Sequence, residues 1–320
     1  MANPNSSRAQ WNELYTATYD TLINAGKPEI PLFNGDPTLE KFLAGGMKVE
    51  KQGGPVVRAN IIYADSTRGQ WVRGLETLTL GEDDAETTCS IEWSKYVDPV
   101  TVSEDTLEEN AGDGRIDDLV TTKLARSMSS IRNQVSQALY ATSQNPLKIL
   151  SLIQIITSGS TIGGIPKSTT SFNWNGNSNG DAAQLSDSML TDMYLSCTFD
   201  NVSPDLMPCS LNMFKRIWQI YADKIHIINS VTAGNIGSNP AKGIPFGDGM
   251  FFMDKNCPAG NVFFLASPKL KFVVHRDVFF NKKGPFESGE VLGITYRHAL
   301  KCCLIPLSIR NLGRLFGKTV

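Results

Sequence analysis

Charge is scarce in this chain. Of 320 residues only 19% are charged, below the quarter common in soluble domains, while Gly, Ser, Thr and Asn are plentiful. So uncharged a surface suits a protein that covers much of itself with neighbours. Histidine is scarcer still, at His226, His275 and His298, and none lies in a zinc-binding motif. The six cysteines form no CxxC pair. Cys302-Cys303 falls in an apolar run and reads as a packed strand, not a metal site. All six read as reduced thiols of a cytosolic protein. There is no P-loop and no GxGxxG, so neither a cofactor nor a metal is expected. No run approaches eighteen consecutive apolar residues, and MANPNSSRAQW lacks an apolar signal core, so no membrane span or leader is expected.

The charge that is present is unevenly spread. The net value is −2, with a pI near 6.0, which argues against a protein that grips nucleic acid. From Glu76 to Asp118 there are 14 acids and 2 bases; from Ser267 to the end there are 10 bases and 3 acids. Neutralisation within one chain explains this, and so does contact between the acidic part of one subunit and the basic part of the next. One stretch has the letters of a nucleophile elbow, Gly176-Asn177-Ser178-Asn179-Gly180. The elbow needs a buried strand before it. Phe172-Asn173-Trp174-Asn175 is not apolar enough, so a serine hydrolase built on Ser178 is a distant competitor.

The patterns point to mixed helix and sheet. Ser7 begins a helical spacing that runs to Asn24 through Trp11, Leu14, Tyr15, Thr18 and Leu22. Residues 28–45 read as extended and Pro-rich. Val56–Tyr63 and Thr87–Val97 read as the arms of a long β-hairpin whose extended tip carries Arg68, Trp71 and Arg73. Such a hairpin is not stable alone and must lie on something. Residues 116–142 form the strongest helix, with Gly112-Asp113-Gly114 as a break before it. Further helices are expected at Asp181–Cys197 and, capped by Ser210, at Leu211–Ala222. Strands follow at Phe251–Met253, Val262–Leu265 and Leu270–Val274, then a loop at Gly284–Gly289 and strands at Val291–Tyr296 and Leu300–Leu307. The Leu270 strand ends abruptly in His275-Arg276-Asp277, a charged exit from a buried strand.

Cys257-Pro258-Ala259-Gly260, the apolar run after it, and Leu270-Lys271 leading to His275-Arg276-Asp277 together resemble the C-terminal region of tailed-bacteriophage major capsid proteins. Their shared fold is named after phage Hong Kong 97. The order of the other parts resembles that family over nearly the whole chain. The resemblance implies an α+β fold with an N-terminal arm (1–45) and an extended loop (46–98). It also implies a peripheral domain (99–145 and 267–320) whose spine helix spans about 116–142, and an axial domain (146–266). It implies a structural, non-enzymatic protein that self-assembles as pentamers and hexamers into an icosahedral shell around double-stranded DNA, without sequence-specific binding. The expected location is the virion, after assembly in the host cytoplasm. Expected partners are further copies, a separate scaffolding protein, a portal and, as a further candidate, a cement protein. The scaffold is expected to be separate because the chain starts almost directly at the arm. The Lys–Asn cross-links of some relatives are not carried over. Candidate contacts between subunits are Trp11, Tyr15, Phe33, Arg68, Trp71, Arg73, His275, Arg276 and Asp277. An encapsulin-like compartment shell is the competitor that shares the fold.

Overall fold

The computed structural model describes residues 36–44, 46–63, 70–74, 86–103, 113–143, 145–157, 159, 161–167, 174–221, 243–288 and 291–319. Helix α1 (Pro37–Ala44) comes first. Pro37 stands at the first helical position, where its fixed φ suits the turn and its missing N–H costs nothing. Leu39, Phe42 and Leu43 bury one face. Residues 37–44 are thus helical, not extended as the prolines suggested.

Strands β1 (Lys48–Lys51), β2 (Val56–Ile62), β3 (Glu86–Glu92) and β4 (Ser94–Ser103) precede the long helix α2 (Asp113–Leu139) and the short α3 (Leu152–Ile156). A small hairpin, β5 (Thr161–Ile162) and β6 (Ile165–Pro166), leads to β7 (Asn177–Asn179), α4 (Asp187–Cys197), β8 (Leu206–Cys209) and α5 (Leu211–Tyr221). Strands β9 (Ile244–Phe246), β10 (Gly249–Met253), β11 (Val262–Phe264), β12 (Leu270–His275), β13 (Asn281–Ser288), β14 (Val291–Pro306) and β15 (Gly313–Leu315) complete the order.

β14 organises the first sheet. It pairs antiparallel with β12 through 302–306 and with β13 through 291–299. On its other edge it pairs antiparallel with β4 through 293–302. β1 lies parallel to β12. The sequence reading broke β14 in two at Arg297-His298. The strand continues because His298 is buried and its Nδ1 lies 2.9 Å from Oγ of Ser127 on α2. The expected loop at Gly284 is strand β13, whose register shifts between Lys283 and Phe286. Gly284, at φ 132°, sits at that irregularity.

The second sheet runs β7-β15-β11-β8-β10-β9. Its central strands are buried on both faces, which explains their unbroken apolar runs. Phe251, Val262 and Phe264 pack with α4 and α5 residues such as Leu190 and Ile217. Their neighbours Phe252 and Phe263 join the larger core with Ile131, Val135 and Leu304. β15 belongs to this sheet.

α2 is 27 residues long, about 40 Å at 1.5 Å per residue. It lies three residues earlier than expected, and Gly114 falls inside its first turn. Met128, Ile131, Val135, Ala138 and Leu139 from the expected stripe are buried. α4 begins at Asp187, not Asp181, where the Ser186 hydroxyl accepts from the Met189 amide at 3.4 Å. α5 starts at Leu211 as expected, but the Ser210 hydroxyl is buried without a hydrogen bond and does not cap it. The β2–β3 hairpin is antiparallel from Val56↔Glu92 to Ile62↔Glu86. The second arm ends at Glu92, and after Trp93 the chain passes into β4 of the first sheet.

Candidate functional site

A polar cluster ties α1, α2 and the turn after β10 together. Asp36 is fully buried. Its Oδ2 lies 2.8 Å from Nε of Arg132, and its Oδ1 lies 3.1 Å from Nζ of Lys255. The Arg132 N–H is not directed at that oxygen, so charge more than hydrogen bonding holds this pair. The Thr38 and Tyr140 hydroxyls both donate to Oδ2 of Asp254. The Asn256 amide nitrogen donates to the Ser136 hydroxyl at 2.8 Å and to Oδ1 of Asp36 at 3.3 Å. Burial, and then the Asp254 charge, hold the Tyr140 hydroxyl well above the usual phenol range. The cluster holds the start of α1 against α2 and the turn after β10.

The enzyme-like features do not converge. Ser178 sits in the middle of β7, paired parallel with β15 and exposed, whereas an elbow places its serine on the turn from strand to helix. The sequence reading missed the buried contact of Ser127 with His298, which binds α2 to the first sheet. It also missed Lys167, whose buried ammonium donates to the carbonyls of Gln154, Ile155 and Thr157 around the C-terminal end of α3. Burial lowers its pKa from 10.5 to about 8. Neither contact had a signal in the local sequence. Among the described residues no three or more His, Cys, Asp or Glu side chains gather to hold a metal. None of the described helices is long and apolar enough to cross a membrane.

Of the residues selected from sequence, Trp11, Tyr15, Phe33 and Arg68 lie outside the described residues, as does His226. Trp71 and Arg73 are described and exposed; Trp71 is as open as a side chain can be, with Val72 half exposed beside it. His275 turns inward. It is buried, stacks edge-on against Trp93 at 5.3 Å, and both ring nitrogens lie within reach of backbone amides, those of Gly53 (3.4 Å) and Asp277 (3.3 Å). A neutral imidazole has one acceptor nitrogen, so it serves one of these amides at a time. Arg276 and Asp277 remain exposed, and the Gln52 amide donates to Asp277 at 3.4 Å. His275 thus anchors the chain entering the hairpin, leaving Arg276 and Asp277 at the surface.

No family model matches the sequence, and no curated protein does. Solved structures match over most of the chain. A chain of the cyanophage A-1(L) capsid asymmetric unit matches at 15% identity with a TM-score of 0.66, covering 89% of this chain and 93% of that one. A structure from Mycobacterium phage Bobi matches at 11% identity and 0.59, over 90% and 92% of the two chains. The holo-SrpI encapsulin complex of Synechococcus elongatus PCC 7942 matches at 9% identity and 0.55, over 85% and 84%. At these identities the likeness shows the fold: mixed helix and sheet of the Hong Kong 97 capsid type.

Proposed function

We propose, from this capsid-type fold, that the chain is the major capsid protein of a tailed phage, assembling as pentamers and hexamers into a closed shell around double-stranded DNA. The carrying observation is the extent of the likeness, which takes up 89% of this chain and 93% of the cyanophage capsid chain. Little of the chain is left over for another purpose. On this reading the first sheet with α2 forms a peripheral domain, and the second sheet with α4 and α5 forms an axial domain around the capsomer axis. The segment before Asp36 and the β2–β3 hairpin reach to neighbours. Trp71 fits that role. An indole buries 150–250 Å² when covered, roughly 4–6 kcal/mol at 25 cal/mol per Å² as an upper bound. The role is structural, located in the virion after assembly in the host cytoplasm, with a scaffolding protein and a portal as partners and a cement protein as a further candidate. The slight net acidity suits a wall that confines DNA without gripping phosphates.

Electron microscopy of the purified, concentrated protein tests this. Shells, rings or sheets are expected; a persistent monomer that turns over an ester, with activity lost in Ser178→Ala, would replace the reading with a hydrolase. The encapsulin match supplies the second reading, a compartment shell. Shells that enclose protein cargo and no nucleic acid when isolated from the native source would favour it.

A further inference from the structure

Among the described residues a hollow of about 350 Å³ opens where the far end of β2 meets the turns after α4 and β14. Ile62, which is 72% exposed, Leu307 and the half-exposed Phe199 give it apolar walls. Two cations stand in it. The Lys269 ammonium lies 3.4 Å from Oδ2 of Asp200, so its charge is balanced. The Arg310 guanidinium lies over the Phe199 ring, 3.7 Å from its centre. Among the described residues Arg310 has no ion pair, and its side chain donates no hydrogen bond. The walls are held in place. Asp200 and Asn201, both at φ 55°, form a two-residue turn closed by reciprocal bonds between Phe199 and Val202 at 3.1 Å. The buried Asn311 amide donates to the Phe199 carbonyl at 2.9 Å and to that of Val202 at 3.2 Å. Asn177 donates to the Arg310 carbonyl at 2.8 Å, and the Leu307 amide donates to the Lys269 carbonyl at 2.8 Å.

A guanidinium held against an aromatic face keeps its fork of donors ready for a planar oxyanion. Lys269 and Asp200 cancel, so one positive charge is left over in the hollow. A monoanion balances it. A phosphate monoester carries a charge nearer −2 and would leave an excess in a half-apolar space, where unpaired charge is costly. The apolar walls suit a hydrocarbon body beside the charged group. At roughly 30 Å³ per water-sized group the hollow holds about a dozen such groups, the size of a phenylalkanoate and the lower end for small-ligand sites. We propose that this hollow binds a small monocarboxylate with an aryl or alkyl body, its carboxylate on Arg310 and its body on Ile62 and Leu307. The occupant joins the end of β2 to the turn after β14 and covers Ile62, which the fold leaves in water. All the walls belong to one chain, so the site goes beyond the shell reading without resting on it.

Ligand-observed NMR titration of the full-length chain with 3-phenylpropanoate tests the site. A Kd of about 1 mM or tighter is expected for a ligand of this size. The uncharged 3-phenylpropanamide and the more highly charged 2-phenylethyl phosphate should each bind at least about tenfold more weakly. Arg310→Gln should weaken the carboxylate at least about tenfold. Ile62→Asp should do the same by setting a negative charge against the ligand, at a position exposed enough to leave folding intact. Lys215→Gln, on the exposed side of α5, should change nothing. An unchanged circular dichroism spectrum shows that each variant is folded. No binding of 3-phenylpropanoate up to about 10 mM, equal binding of the amide, or binding that survives both Arg310→Gln and Ile62→Asp overturns the site. A phosphate bound as tightly as the carboxylate overturns the monocarboxylate as its ligand.

Discussion

Individual side chains set how this fold responds to pH. All six thiols are buried and free. Burial raises Cys89 from 9.0 to about 11 and Cys197 and Cys303 to about 12, and lifts Cys209, Cys257 and Cys302 further. Above pH 9 the unfolded chain releases these protons and the folded chain keeps them, so stability falls as pH rises, by at most roughly 1.4 kcal/mol per pH unit for each thiol. Lys167 acts with the opposite sign. Its folded pKa of about 8 lies below the ordinary 10.5, so from about 8 to 10.5 the unfolded chain holds more protons and stability rises with pH. Burial lowers Lys123 as well, but six thiols outweigh two amines, and the urea midpoint should change little from pH 7.5 to 9, then drop steeply by pH 10. A midpoint that climbs through pH 10 would contradict the buried thiols. The same burial makes the thiols poor nucleophiles, so iodoacetamide should label them only after unfolding. Gly163 gives a second test. Its φ is +61°, and an added Cβ would lie 2.1 Å from Sγ of Cys89. The Gly163 carbonyl also accepts from the Ser90 amide at 2.9 Å. Gly163→Ala should cost about 2 kcal/mol or more, through left-handed strain and the lost seating of the β5–β6 turn on β3.

Elements were legible where burial follows a simple period. Both arms of the hairpin form as strands where the sequence places them, with Val57, Ile61 and Cys89 buried, and α2 keeps its expected length because its apolar stripe is uninterrupted. Errors arose where tertiary contacts overrule local letters. Arg297-His298 looked like the end of a strand, but Ser127 receives His298 and β14 runs on for 16 residues. Gly284 looked like a loop, but partners on β14 hold it in β13. The helix at Pro37 had a legible start, Asp36 before a first-turn Pro, masked by the prolines upstream. Of the surface candidates, Trp71 is exposed, while His275 is held by Trp93 and Gly53, partners far away in sequence. The polar tie was invisible for the same reason, since Asp36, Arg132 and Asp254 meet only after folding. Asp36→Ala should leave Arg132 and Lys255 without their shared carboxylate and loosen α1 from α2. Both cations keep some solvent exposure, so the expected loss is about 2 kcal/mol, below that of a fully buried pair. Equilibrium urea unfolding measures it, and a loss under 0.5 kcal/mol, the ordinary range for a surface change, would mean that the cluster does not hold the helix.

At the scale of the whole molecule, stability and assembly should be separable. The two sheets share one large core from Leu39 to Leu312, and the second sheet fills a smaller core of its own. Both are built from residues of one chain, so the folded body is expected to form without a neighbour. Trp71 is different. It adds apolar area to the surface and contributes nothing to either core. Trp71→Ala should therefore leave the thermal midpoint of the unassembled chain unchanged within a degree or two, because no buried contact is lost. The same substitution should raise the concentration at which the chain assembles by at least about tenfold, since tenfold corresponds to 1.4 kcal/mol and covering an indole is worth several times that per contact. Differential scanning calorimetry of dilute protein and sedimentation of concentrated protein read the two quantities separately. A lower midpoint with unchanged assembly would mean that the hairpin tip folds back onto its own chain, and the role of the hairpin as a hold on the neighbour would then fail. An unchanged midpoint with impaired assembly would fix the tip as a contact made only between copies.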